Sequence, residues 1–356
     1  MKRSTKSSLP PFFVVIFFAI AGFVISFLFL NANYQQKPVS TKLAIMCPPG
    51  DTCQSFEVIP VYKLPKNPVV AGNGSKVNEQ GNMLFHYNPA FLIWTMLILM
   101  LMSVSSGSLP VSIGYITELK RNFRIPNKSF VRIIIYAIIV ALIMIVLPLW
   151  LRGYYTPHHI VRDFKILLKN ADVIPGFSLA TVMLSLPMVV TMFLVGYASS
   201  RSFDTVSTEA AAKAAIGRFN YLNSVLLSAL QVLAIIVVLT SFCSAALGQS
   251  IKSVFVLKGF EIFPKEVSYA YGLFYALFLA MFYIPVYQTL KEKGKDLREQ
   301  IILSSAGLSE TNVQEREKMS ESLEIKTSAL DSLKMALTIL SPLIASFIPE
   351  HLQVFK

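Results

Sequence analysis

Three serines in an apolar stretch are spaced to share one side of a helix. Ser105, Ser108 and Ser112 recur at i, i+3 and i+7, so their hydroxyls form a row. In a membrane such a row has two uses. It lines a narrow polar path, or it lets a second helix approach closely because small hydroxyl residues take up little space. The packing use is the commoner one. Gln231 is the single large polar side chain well inside an apolar run. It either contacts a transported molecule or, more commonly, hydrogen-bonds a neighbouring helix. These four residues are the candidates for a polar path.

Other reactive residue types form no convincing set. Cys47 and Cys53 flank a Pro-Pro-Gly-Asp turn, a spacing that matches neither a CxxC redox pair nor a usual zinc pair. A structural disulfide is the expectation, contributing about 2 kcal/mol by the loop-entropy model. It would persist only outside a reducing compartment. Cys243 stands alone in an apolar run, where a thiol is normally inert. His158 and His159 lie near Arg162 and Asp163, but adjacent histidines point apart on regular structure and no metal site is expected. Asn73-Gly74-Ser75 is a glycosylation sequon, meaningful only in a eukaryotic secretory system. With no nucleophile–base pair and no nucleotide or nucleic-acid motif, no enzyme activity, cofactor or nucleic-acid partner is expected.

The elements that must position these residues are membrane helices. Of 356 residues, 54% are hydrophobic and 15% charged, against roughly 25% charged in soluble domains. Mean hydropathy is +0.58. The reading is an all-α polytopic membrane protein with six spans, near 11–30, 89–110, 130–151, 176–198, 222–247 and 268–290, each close to the roughly 20 residues a crossing needs. Four loops of about 20 residues and one long loop, 31–88, separate them. Between their ends these spans hold no Asp, Glu, Lys or His, which argues against an ion-coupled transporter. Pro187 and Pro285 are expected to kink their helices. Gly272, Ala276 and Ala280 form a small-residue face suited to close packing, within the bundle or between protomers of a homo-oligomer.

The domain organisation follows. Residues 1–30 read as an uncleaved signal-anchor helix behind a basic Lys2-Arg3 start. Residues 31–88 form a small extracytoplasmic cap, 89–290 a five-helix bundle, and 291–356 a helical cytoplasmic tail. With both termini cytoplasmic, inward segments near the spans carry fifteen Lys and Arg and outward ones twelve, five of these in the long loop. Long loops weigh less in that comparison. The net charge of +12 fits orientation and anionic headgroups, and a bacterial inner or plasma membrane is the expected site. The cysteine pair falls on the outer side.

Two inner segments have their own signals. Residues 204–218 are Ala-rich and should be helical at the cytoplasmic face. In the tail, Thr311 with Gln314 fits a capping box before a mixed-charge helix. Residues 333–349 resemble a seventh span but are expected not to cross. The apolar core is short, Pro342 interrupts it, and Pro349 ends it. A polar stripe (Asp331, Lys334, Thr338, Ser341, Ala345) opposes an apolar one (Leu333, Leu337, Leu340, Ile344, Phe347), as in an interfacial or docked helix. The leading function is a channel-like, pore-like or effector component of a membrane; the alternative is a scaffold or sensor whose tail recruits a cytosolic partner.

Overall fold

The computed structural model describes residues 12–33, 59–60, 89–155, 173–201, 209–256, 265–305 and 329–351. These form seven helices and one two-residue strand pair. The helices are α1 (Phe12–Asn33), α2 (Pro89–Asn122), α3 (Asn127–Tyr155), α4 (Val173–Arg201), α5 (Glu209–Val254), α6 (Lys265–Ser305) and α7 (Ala329–His351). Six of them, α1 to α6, are long and apolar enough to cross a bilayer. The protein is all-α and polytopic, as the sequence implies. Lipid offers the backbone no hydrogen-bond partner, so helices that satisfy themselves are what such a chain forms.

Several helices are longer than the spans read from hydropathy. α2 continues through Pro110 to Asn122, so the expected loop before α3 shrinks to the corner Phe123–Pro126. That corner is a Schellman-type stop. Ile125 N–H reaches back to Lys120 C=O at 3.3 Å while Arg124 takes a left-handed φ of 46° and Ile125 is buried. From Glu209 on, the Ala-rich segment and the fifth span are one helix, α5, of 46 residues. α6 runs past the apolar run to Ser305 without a break at residue 291.

Length then has a consequence. At 1.5 Å per residue α2, α5 and α6 measure about 51, 69 and 61 Å, and the hydrocarbon layer is about 30 Å thick. Successive crossings alternate direction, so the C-terminal end of α2, the N-terminal end of α5 and the C-terminal end of α6 project on the same side. On the opposite side, Ile59–Pro60 pairs antiparallel with Phe255–Val256 just after α5. This pair ties the long loop to the bundle.

α4 and α5 touch along the centre, with α2 and α6 each packed on both. α1 lies outside α2, α3 outside α4, and α7 rests on α5 and α6. Two apolar clusters fill the interior. One lies where α1 ends and α2 begins and includes Leu30, Phe91, Trp94, Phe177 and Leu247. The larger one extends into the overrun, from Met188, Leu194 and Leu226 to Ala212, Phe219, Leu290, Leu297 and Ile301. On α6 the buried positions Leu290, Gly294, Leu297 and Ile301 repeat at i, i+4, i+7 and i+11, the pattern of a coiled-coil seam. This explains why a segment with so many charges stays helical and attached.

α1 is held by small residues. A Cβ on Gly22 would overlap the Ser106 side chain and come within 2.8 Å of the Met102 carbonyl. One turn away Ser103 Oγ donates to Ala19 C=O at 3.0 Å. Gly107 faces Ala19 less tightly, an added Cβ there lying 3.2 Å from the Ala19 Cβ. Where lipid tails are as apolar as the side chains, such close approach supplies the attraction between helices. The remaining surface of α1, including Phe13, Phe17 and Ile25, is exposed, as a lipid-facing helix requires.

α7 departs from expectation in one respect. The helix passes through Pro342 and Pro349 and ends at His351, because Pro342 is buried within the packed helix and neighbouring contacts offset the missing bond. Met335 and Ile339 join the larger cluster and Ala345 is buried. Leu337, Leu340 and Ile344 face outward. α7 therefore docks on protein through the border between its stripes and turns Leu337, Leu340 and Ile344 of the apolar stripe away from the bundle.

Candidate functional site

The serine row is the upper part of a longer polar line along α2. Ser105, Ser108 and Ser112 are buried, and the same side of the helix continues with Tyr115 and Glu118, at further steps of three. Tyr115 and Glu118 both reach α5. Tyr115 OH lies 3.3 Å from Ser228 Oγ, and Tyr221 OH donates to Glu118 Oε2 at 2.6 Å. Glu118 is only 5% exposed. A buried carboxylate is costly without donors, and a charge-assisted hydrogen bond of this length is among the stronger ones. The seam between α2 and α5 thus carries a polar lock at the level where both helices begin their overrun.

The hydroxyls higher up are mostly spent within their own helix. Ser108 Oγ donates to Ser105 C=O and Ser112 Oγ to Leu109 C=O, both at 2.8 Å. Ser105 Oγ is buried with no hydrogen-bond partner among the described residues. Elsewhere Thr95, Thr181, Thr191, Ser199, Thr240, Ser241 and Ser250 also donate to carbonyls of their own helix. This is how hydroxyls are satisfied in an apolar medium, and it leaves the row shaped for helix contact.

Gln231 does not join the row. It is exposed on α5, three residues beyond Ser228, and no hydrogen bond joins it to Ser105, Ser108 or Ser112. Gly272 and Ala276 are buried and Ala280 is half-buried, so this small-residue face of α6 is largely used inside the bundle. Cys243 is buried and free. Cys47, Cys53, Asn73, His158, His159, Thr311 and Gln314 lie outside the described residues. Among the described residues no three of His, Cys, Asp and Glu come together as metal ligands would.

Hydropathy placed Tyr115, Glu118 and Tyr221 in loops and Ser228 inside the fifth span, so the lock went unseen. Its signal was present as spacing. Tyr115 and Glu118 stand at i, i+3 and Tyr221 and Ser228 at i, i+7, each pair on one side of a helix. Recognising it required knowing that α2 survives Pro110.

Basic and aromatic groups mark the same level on the outer helices. Tyr197 OH donates to Ser129 Oγ at 2.9 Å, joining α4 to α3. Arg201 stacks over Tyr197 at 5.0 Å and Lys120 over Phe130 at 4.7 Å. Cations beside aromatic rings at a helix end are the usual furniture of a membrane interface.

Compared with known proteins, the chain matches no family model, no curated protein and no solved structure. The fold itself defines the class: an integral membrane protein of six apolar helices in contact with a lipid bilayer.

Proposed function

We propose that this protein is a non-enzymatic membrane scaffold or effector that presents a helical platform to the cytosol. The observation that carries the reading is the common overrun: α2, α5 and α6 all extend past the bilayer on one side, where α7 packs on α5 and α6. A protein that only had to cross the membrane would gain nothing from about 20 Å of extra packed helix. The exposed positions of the α6 overrun, Glu292, Lys295 and Asp296, carry both signs of charge, suited to a polar protein partner. Lys120, Arg121, Arg124, Arg218 and Lys291 cluster at this end, and the positive-inside rule makes it the cytoplasmic end. The long loop and a Cys47–Cys53 disulfide then lie outside. The pore reading draws support from the buried serine row alone, and the hydroxyls of Ser108 and Ser112 are already engaged.

Two arms test this. Photo-crosslinkers at Glu292 and Asp296 in living cells should capture one defined cytosolic protein, while the same probe at Leu277 captures lipid. The full chain in liposomes should leave ion permeability at the level of lipid alone. Ion flux that Ser105→Leu abolishes would replace the scaffold with a pore.

A further inference from the structure

We infer that the outward side of α5, centred on Gln231, is the surface on which a second copy of this chain docks. Gln231 sits within the apolar run of α5, is exposed, and its carboxamide makes no hydrogen bond to any described residue. Ser224 and Ile235, seven residues before and four after, are exposed on the same stripe. The other sides of α5 are covered by α2, α4, α6 and α7. A carboxamide facing lipid tails has lost water and gained no partner, a standing cost in hydrocarbon.

The chemistry of the side chain selects the occupant. A carboxamide carries both a donor and an acceptor. Two copies related by a twofold axis satisfy each other's Gln231, because an isologous interface brings each residue near itself. The apolar part of the stripe carries no charge, so like meets like without repulsion. Towards the overrun the stripe continues through Gly217, seven residues before Ser224, where an added Cβ would meet nothing within 4 Å. Small residues at Gly217 and Ser224 let two backbones approach. The small face of α6, the other sequence candidate for an interface, is largely occupied inside the bundle.

The test uses the full chain, labelled separately with donor and acceptor dyes and mixed in phosphatidylcholine–phosphatidylglycerol liposomes. Energy transfer should exceed the random-encounter level and fall only as lipid dilutes the protein. Gln231→Leu should weaken association by about three- to thirtyfold, the worth of an interhelical hydrogen bond, whereas Gln231→Asn should retain it. A photo-crosslinker at Ile235 should give a homodimer, and one at Met281 on α6 should not. Random-level transfer for the unaltered chain overturns the proposal whatever the variants do. So does an unchanged association for Gln231→Leu, or a crosslink from Ile235 in native membranes that leads to a different protein.

Discussion

Tyr221 on α5 donates its phenol hydrogen to the buried carboxylate of Glu118 on α2 at 2.6 Å. The two residues sit where the bundle leaves the apolar layer, and they join two of the three helices that overrun it. Tyr221→Phe should therefore destabilise the protein by about 1–3 kcal/mol, the cost of depriving a buried polar group of a donor. Glu118→Gln keeps an acceptor for the phenol and should cost less, about 1 kcal/mol or under. Denaturation of the reconstituted protein measures both. Equal stability for Tyr221→Phe and the unaltered protein would mean that the bond contributes nothing.

The contact of α1 with α2 depends on one missing side chain. Gly22→Val should cost about 1–3 kcal/mol by overpacking, since its Cβ would run into Ser106 and the Met102 carbonyl. Gly176→Ala, where a Cβ meets nothing within 4 Å, should be neutral or slightly stabilising through helix propensity. Limited proteolysis and thermal denaturation of the pair separate packing from a general intolerance of substitution.

The serine row gives opposite expectations for small and large replacements. Ser105→Ala removes a buried hydroxyl with no partner among the described residues, so stability should hold or rise by up to about 1 kcal/mol. The double change Ser105→Leu, Ser108→Leu should lower it by about 1–3 kcal/mol through crowding. If liposomes conduct ions and that conductance disappears in the double variant while its stability is intact, the serines line a path.

The six crossings were legible because uninterrupted apolar runs near 20 residues have no other stable solution. The architecture beyond the apolar layer was much less so. Hydropathy ends a span where charges begin, so it stopped α2 before Glu118 and split α5 at Arg218, although both helices continue. What holds them there is a heptad seam, Leu290, Gly294, Leu297 and Ile301, whose partners come from distant parts of the chain. The serine row was read from spacing, but its two meanings differ only in where each hydroxyl turns. Gln231 was singled out as the large polar residue of an apolar run, yet periodicity alone did not say which side of α5 faces the neighbours.

Arg124 occupies a left-handed backbone position at the α2–α3 corner, φ 46°, that costs an L-residue roughly 1–2 kcal/mol. Arg124→Gly should recover about 1 kcal/mol of that, seen as a higher midpoint of thermal unfolding. A lower midpoint would show that the exposed guanidinium matters more to the interface than the backbone does.

Whether the shared overrun of α2, α5 and α6 faces the cytosol is most directly read from a single cysteine, Asp296→Cys, at an exposed position of the α6 overrun. A membrane-impermeant maleimide, scored against the unaltered chain, should leave this position unlabelled in intact cells and label it in inverted vesicles. Labelling in intact cells would put the platform outside and contradict the proposed function.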